Sequence, residues 1–180
     1  MDTPPTVTLR ALIPADAETL AAWATDETFI AHADWTPGLP LVEHERFWRT
    51  LITDPPDPAL LRLAAVHDDA LVGYVDLHGL GPTERELGYV IGPSERWGHE
   101  WGTAAARAGL EHAFDHLGMH AVWSEAVEQN VPSVRILERL GMQMTGHGEE
   151  TRFLGATARY AQYRISRETY QLTSNARRRG

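Results

Sequence analysis

The sequence predicts one mixed α/β domain, in which helices cover both faces of a central sheet. Three observations support this fold class. A chain of 180 residues, 43% of them apolar and 23% charged, is large enough to bury a core of its own. Short apolar runs with β-branched residues alternate with longer stretches of helical periodicity. Because no repeat or linker interrupts this order, residues 1–172 are predicted to form a single domain, with a flexible basic tail over 173–180.

A strand, two helices and a connecting loop are predicted before residue 60. In chain order, the strand, helix, loop and helix cover residues 7–13, 17–24, 26–40 and 42–52. The strand stops at Pro14, and the prolines and glycine around Trp35 indicate a loop on the surface. The second helix directs Phe47 and Trp48 toward one side, and a proline-rich segment ends it.

Three strands and a helix follow. The strands cover residues 60–66, 71–77 and 86–91, and the helix runs from about Thr103 to His116. A tight turn separates the first two strands, which are therefore predicted to pair as a hairpin. The many small residues of the helix allow it to approach the sheet closely, and Gly118 is placed to cap its C-terminus.

The last third of the chain is predicted to hold a strand over 120–127, a helix that begins at Asn130, and two strands over 142–148 and 160–166. Asn130 is a good N-cap, because its side chain would accept a hydrogen bond from the Ser133 N–H. Gly141 closes the helix. The order of all these elements is the one expected of a mixed sheet between two layers of helices.

The turn between the strand over 86–91 and the next helix carries a chemical signal. It reads Arg96-Trp97-Gly98-His99-Glu100-Trp101-Gly102-Thr103. A strand that enters a glycine-bearing turn and opens a helix leaves several backbone N–H groups unpaired at the positive end of the helix dipole. Phosphate groups bind in such places. The turn is therefore predicted to be a phosphate site.

Three stretches of the chain carry a family resemblance. They are Glu86-Leu87-Gly88-Tyr89-Val90-Ile91, the turn from Trp97 to Gly102, and Asn130-Val131-Pro132-Ser133-Val134-Arg135-Ile136-Leu137-Glu138-Arg139-Leu140-Gly141-Met142. Together they resemble the GNAT acyltransferase superfamily, and more narrowly its branch of ribosomal-protein N-terminal acetyltransferases. The likeness in the order of elements covers residues 7–170. It implies a mixed, mostly antiparallel sheet of about seven strands with helices on both faces, whose fourth and fifth strands splay apart.

The resemblance also implies an N-acetyltransferase that passes an acyl group from acetyl-CoA, or another acyl-CoA, to a primary amine by direct attack in a ternary complex. The pantetheine arm would lie along Val90 and Ile91, in the gap between the splayed strands. The donor phosphates would be surrounded by the backbone of Arg96, Trp97, Gly98, His99, Glu100, Trp101, Gly102 and Thr103. Asn130 and Ser133 would contact the pantetheine and its sulfur.

Acyl transfer needs a base for the amine proton and an acid for the departing thiolate. Family analogy places Glu86 near the reacting amine, which makes it the predicted base. His78 is the second choice, because an imidazole titrates near neutrality. The alternative for both is an ordinary solvated residue at a strand end. Ser133 is the predicted acid or thiolate donor.

The acceptor pocket is predicted to be built from the parts of the fold outside these motifs. Its predicted residues are Asp34, Trp35, His78, Tyr160 and Gln162. Asp34 and the overall acidity would suit a cationic amine, either a small molecule or a peptide. The apolar final strands leave a homodimer open.

One residue of the turn departs from the family pattern. Glu100 stands where the central glycine belongs, and a carboxylate about 5 Å from a phosphate would cost on the order of 3 kcal/mol at an effective dielectric constant of about 20. Arg96 and His99 could offset part of this cost. Two alternatives stay open as a result: the donor is the phosphopantetheine of an acyl carrier protein, or the protein has kept the fold and lost activity, and binds a ligand or partner.

Composition excludes several other classes of protein. The absence of cysteine rules out a thiol nucleophile, a thiolate zinc site and an iron–sulfur cluster. A formal charge of -9 disfavours nucleic acid as a partner. No targeting or membrane-spanning segment is recognised, so the expected compartment is the cytoplasm. No metal is expected either, because Gly118 ends the helix that carries His112 and His116 before it reaches His120.

Overall fold

A seven-stranded sheet forms the centre of the protein, described here by a computed structural model that covers residues 4–178. Its strands follow the spatial order β1-β2-β3-β4-β5-β7-β6. They are β1 (Thr8–Ala11), β2 (Leu60–His67), β3 (Ala70–His78), β4 (Glu84–Ile91), β5 (Ala121–Val127), β6 (Gln143–Phe153) and β7 (Ala156–Ser166). All neighbours pair antiparallel except β4 and β5, which are parallel.

Helices cover both faces of the sheet. They are α1 (Asp16–Ala22), α2 (Glu27–Ala33), α3 (Leu41–Thr53), α4 (Trp101–Glu111), α5 (Val131–Arg139) and α6 (Arg167–Arg178). One buried apolar cluster joins the sheet to α4, α5 and α6, and a second joins the opposite face to α1, α2 and α3. Apolar residues on one face of each helix and on alternate positions of each strand account for both layers.

The parallel pair β4 and β5 is joined at one end only. Glu84 lies opposite Ala121, and Glu86 lies opposite Trp123, where the pairing stops. β4 then continues to Ile91 and β5 to Val127, so a gap opens between the two strands. The predicted mixed sheet of seven strands, with splayed fourth and fifth strands, is confirmed.

The segment predicted as the loop 26–40 contains a helix, so that prediction is wrong for residues 27–33. The cause is a cap followed by an apolar anchor: the Asp26 carboxylate accepts from the Phe29 N–H at 3.0 Å, and Phe29 is fully buried. The helix ends at Asp34, which adopts the left-handed conformation with φ 55°. The predicted orientation of Phe47 is also wrong. Trp48 is buried, but the Phe47 side chain is 58% exposed, because these neighbours lie on different sides of α3.

The chain beyond β5 is more regular than predicted. β6 and β7 form one long hairpin of eleven residues on each side, where the sequence indicated two shorter strands. Helix α6 continues to Arg178, into the stretch assigned to a flexible tail. Tyr170 anchors it by stacking on Phe114 at 4.6 Å between ring centroids. Arg179 and Gly180 lie outside the described residues.

Candidate active site

The edge of β4 that faces the gap carries backbone groups with no strand opposite them. The Gly92 N–H donates to the Val72 carbonyl at 3.2 Å. Because successive residues of a strand direct their backbone groups to opposite sides, this bond and the register show which residues of β4 hydrogen-bond to β3. By this alternation, Leu87, Tyr89 and Ile91 direct their N–H and C=O groups away from β3 and into the gap. The Ser124 hydroxyl donates to the Leu87 carbonyl at 2.7 Å, and the Trp97 indole donates to the Ile91 carbonyl at 2.8 Å.

Tyr89 lies between these two capped positions. Nothing in the described part of the chain pairs with its backbone N–H and C=O. An extended amide chain in the gap could pair with both groups as an added strand does. The sequence prediction placed Val90 and Ile91 along the donor but missed Tyr89, because only the register shows which residues of β4 face the gap. The Val90 side chain packs instead in the cluster of α1, α2 and α3.

The turn before α4 presents a row of free amides. Among residues 4–178, no acceptor is found for the backbone N–H of Gly98, His99, Glu100, Trp101, Gly102 or Thr103. The first amide beyond them, that of Ala104, donates to the Glu100 carbonyl at 2.9 Å and starts the helical ladder. Gly98 supplies a positive φ of 80° that bends the chain into the turn. Amides that lie free at the start of a helix can donate to an anion, so the phosphate site stays a prediction for this turn.

The side chains at the start of the turn brace its backbone. The Arg96 guanidinium donates to the Gly92 carbonyl. Trp97 holds the Ile91 carbonyl through its indole N–H, and its ring lies 5.0 Å from that of His32 on α2. The side chains of Arg96 and Trp97 therefore hold the backbone of the turn in position.

Glu100 is held away from the amide row by an ion pair. It adopts the left-handed conformation with φ 64°, which glycine adopts at less cost. Its carboxylate receives a hydrogen bond from the Arg139 guanidinium on α5 at 2.7 Å. Arg139 is the residue that sequence reasoning missed here, because 39 positions separate the two partners.

Helix α5 begins at the gap. The Asn130 side chain accepts from the Ser133 N–H at 3.5 Å, as predicted for an N-cap. The Tyr89 hydroxyl donates to the Ser133 carbonyl at 3.4 Å, and burial raises the pKa of Tyr89 to about 12. Gly102 leaves room at this junction, since a Cβ there would lie 2.7 Å from Ile136 Cδ1. The first turn of α5, the start of α4 and the free edge of β4 thus converge.

Glu86 occupies the point where β4 and β5 part. It is half-buried and lies opposite His78 on β3 and Trp123 on β5. Loss of hydration raises the pKa of the Glu86 carboxyl, the Glu125 carboxylate raises it further, and His78 acts in the opposite direction. A carboxyl group in this setting gives up its proton at higher pH than a solvated one and is a better base.

Behind His78 lies a buried ion pair. Asp76 accepts two hydrogen bonds from Arg62, at 2.7 and 2.6 Å. The Asp76 carboxylate also lies 3.7 Å from His78 Nε2. The exposed His78 imidazole therefore has a carboxylate beside it.

Only some of the predicted acceptor residues come together. The register places Tyr160 and Gln162 of β7 on the same sheet face as Glu86, and Gln162 Nε2 donates to Glu125 Oε2 at 3.2 Å. Asp34 is exposed at the end of α2. Trp35 packs in an aromatic cluster, with its ring 4.9 Å from Phe29 and 5.5 Å from Trp48.

The tip of the β6–β7 hairpin reaches across to the helical layer on the Glu86 side of the sheet. Phe153 lies 5.4 Å from the His32 ring on α2, and His32 in turn contacts Trp97. Within residues 4–178, no cluster of three or more His, Asp and Glu side chains is placed to hold a metal ion. No described helix is long and apolar enough to cross a membrane.

An opening between parallel strands, with a row of amides at its mouth and a half-buried carboxyl group at its inner end, is typical of acyltransferases that use a phosphopantetheine thioester. The chain belongs to one family of that class: residues 6–143 match the acetyltransferase (GNAT) domain family. This confirms the resemblance at the level of the superfamily.

Known proteins agree with this assignment. An uncharacterized N-acetyltransferase, YnaD of Bacillus subtilis (strain 168), is 28% identical over 90 residues, and the match spans about half of each chain (49% of this one and 50% of that one). A solved structure of spermidine N-acetyltransferase from Vibrio cholerae in complex with CoA and spermine has a TM-score of 0.75 and 22% identity, over 92% of this chain and 98% of that one. An aminoglycoside acetyltransferase in complex with coenzyme A has a TM-score of 0.71 and 18% identity, over 94% and 99%. These structures show a shared fold.

Proposed function

We propose that the protein is an N-acyltransferase that moves an acetyl or other short acyl group from an acyl-CoA thioester to a primary amine. The observation that carries this proposal is the run of amides from Gly98 to Thr103, for which the described residues 4–178 offer no acceptor, at the mouth of the β4–β5 gap. Membership of the acetyltransferase (GNAT) domain family and the coenzyme A in two structural relatives support the same donor.

The donor would bind along the gap. Amides 98–103 would donate to the diphosphate, with the dipole of the eleven-residue helix α4 behind them. The pantetheine amides would pair with the backbone of Tyr89. The end of the pantetheine that carries the sulfur would reach Asn130 and Ser133. The sulfur would therefore lie near the point where β4 and β5 part.

Glu86 would take the proton from the attacking amine, directly or through a water molecule. The reaction forms a bond from the amine nitrogen to the acyl carbon and breaks the bond from that carbon to sulfur. Ser133 would supply a proton or a hydrogen bond to the departing thiolate. His78, which faces Asp76, is the second choice as the base.

The acceptor would be a cationic amine. Glu86 and Glu125 lie on the same face of the sheet, and the whole chain has a formal charge of -9. Such a surface raises the local concentration of cations. One structural relative is a spermidine acetyltransferase, which fits this class of acceptor. A ribosomal-protein N-terminus, the acceptor of the branch that the sequence resembles, remains a prediction.

The two alternatives drawn from Glu100 gain no support. An acyl carrier protein as donor, and a protein without activity, were each motivated by an uncompensated carboxylate in the phosphate turn. The Glu100 carboxylate is paired with Arg139 at 2.7 Å. This ion pair weakens the reason for proposing either a carrier-protein donor or an inactive protein.

The test is release of coenzyme A thiol. The protein is mixed with acetyl-CoA and a panel of amines that includes a polyamine, an aminoglycoside, an N-terminal peptide and a neutral amine. We expect acceptor-dependent thiol release, with cationic amines preferred. The matched control replaces acetyl-CoA with an acetyl thioester of pantetheine, which lacks the diphosphate and should be a much poorer donor. Absence of turnover with every acceptor would count against the proposal.

A further inference from the structure

The geometry points to Arg139 as a positioning residue for the acyl donor: it draws the Glu100 carboxylate out of the phosphate turn and cancels the charge of that carboxylate. This inference rests on the proposed function, because it assumes that a donor phosphate binds at amides 98–103. It explains how a family that places glycine at this point of the turn can hold a carboxylate there.

The first step of the argument is the position of Glu100. It is the N-cap of α4, a position where a short side chain such as that of Asp or Asn accepts from the first amides of the helix. Glu100 makes no such bond. Its backbone, with φ 64° and ψ 1°, keeps the carboxylate off the helix end, and the oxygen lies 2.7 Å from Arg139 instead. The amides of the turn are left available to an external anion.

The second step is the position of Arg139. It lies in the last turn of α5, the helix whose first turn carries Asn130 and Ser133. The same helix would therefore contact the donor near its sulfur and hold the carboxylate beside its phosphates. The Arg139 and Glu100 side chains are 58% and 46% exposed, so a bound phosphate could approach the pair from solvent.

The third step is electrostatic. A lone carboxylate beside the amide row would repel a diphosphate, and the repulsion falls with solvation but does not vanish. The Arg139 guanidinium in contact with the Glu100 carboxylate compensates the charge of that carboxylate.

The test is a double-mutant cycle on coenzyme A binding, measured by calorimetry on the wild type, R139Q, E100Q and the double variant. We expect R139Q to weaken coenzyme A binding about tenfold. This loss lies between the effects that one uncompensated charge would have in a fully solvated and in a partly buried setting. E100Q should remain within about threefold of the wild type, and the double variant should recover to the same range, because no carboxylate is left to offset. The loss in R139Q should shrink at about 1 M salt, where charges act over only about 3 Å.

Three controls make the cycle decisive. The pair Arg49–Glu45 on α3 has a similar contact of 2.6 Å and similar exposure, and R49Q should leave affinity for coenzyme A unchanged. Pantetheine, which lacks the diphosphate, should bind all four proteins of the cycle alike. Exposed ion pairs add little to stability, so the variants should keep the wild-type circular dichroism and melting temperature.

The outcomes separate the inference from the proposed function. If the wild type fails to bind coenzyme A, the proposed donor is wrong. If the wild type binds and R139Q is unaffected, the role of Arg139 is wrong. An equal loss in R139Q and in the double variant would also overturn it, because Arg139 would then act without regard to Glu100.

Discussion

Glu86 is the proposed base of the reaction, and the direction of its pKa shift predicts the form of the pH profile. Loss of hydration first, and the Glu125 carboxylate second, raise the pKa of Glu86 above its ordinary value of 4.5. Because only the ionised carboxylate could act as the proposed base, we expect kcat/KM to fall as the pH decreases through this raised pKa. E86Q should lower kcat about 100-fold or more and remove that acidic limb, as initial rates across pH would show.

A matched control for this prediction lies two residues earlier on the same strand. Glu84 is also a β4 carboxylate, but it pairs with Arg164 at 2.6 Å. E84Q removes the same charge and should keep the acidic limb of the profile. If E86Q retains the acidic limb of the pH profile and a variant of His78 loses that limb, the base is His78.

At the scale of residues, the sequence could predict those that are part of a motif. Glu86, Asn130 and Ser133 could be named from short stretches of chain, and the N-cap bond from Asn130 to the Ser133 amide is present. Glu125 and Arg139 could not be named in this way. Each gains its meaning from a partner on another element, and a single sequence carries no signal for such pairs.

The close packing of α4 on the sheet is a property of an element, and Gly109 tests it. An added Cβ at this position would lie 2.6 Å from Leu87 Cδ1 and 2.8 Å from Val75 Cγ1. Alanine gains about 1 kcal/mol in helix propensity but forces the core apart at a cost of about 1–3 kcal/mol. We expect G109A to lower the free energy of unfolding by about 1 kcal/mol, measured in urea.

Gly146 on β6 provides the comparison for Gly109. A Cβ at Gly146 would meet no atom within 4 Å. G146A should therefore be close to neutral. Equal stability of G109A and wild type would show that α4 can move off the sheet without cost.

The start of α5 has two functions that substitution can separate. N130A removes the cap and should cost about 1 kcal/mol of stability, whereas N130S keeps a capping oxygen. Both lose the carboxamide proposed to contact the pantetheine. We expect both to raise KM for acetyl-CoA, and only N130A to lower the melting temperature. A wild-type KM in N130S would assign Asn130 a structural role alone.

At the scale of elements, periodicity and capping residues predict most of the chain. The β2–β3 hairpin, α3, β4 and α5 lie where the sequence places them, because each combines a clear period with a clear stop signal. Helix α2 was missed since its seven residues are too few to establish a period. It depends on Asp26, whose second oxygen accepts from the distant Ser94 N–H at 2.7 Å.

The whole molecule is proposed to be one cooperative domain. Ala64 and Ala65 of β2 are both fully buried, yet they belong to the clusters on opposite faces of the sheet. The same strands thus support both layers of helices. Urea unfolding followed by circular dichroism should coincide with unfolding followed by the fluorescence of the six tryptophans, which include residues packed against both clusters. Two separate transitions would contradict a single domain.

The gap between β4 and β5 and the free amides beside it form one donor site only if coenzyme A occupies both. The most direct measurement is a crystal structure of the protein with coenzyme A. We predict diphosphate oxygens at about 2.7–3.2 Å from amide nitrogens of residues 98–103, and pantetheine paired with the backbone of Tyr89. A diphosphate bound elsewhere, with those amides open to solvent, would contradict the account.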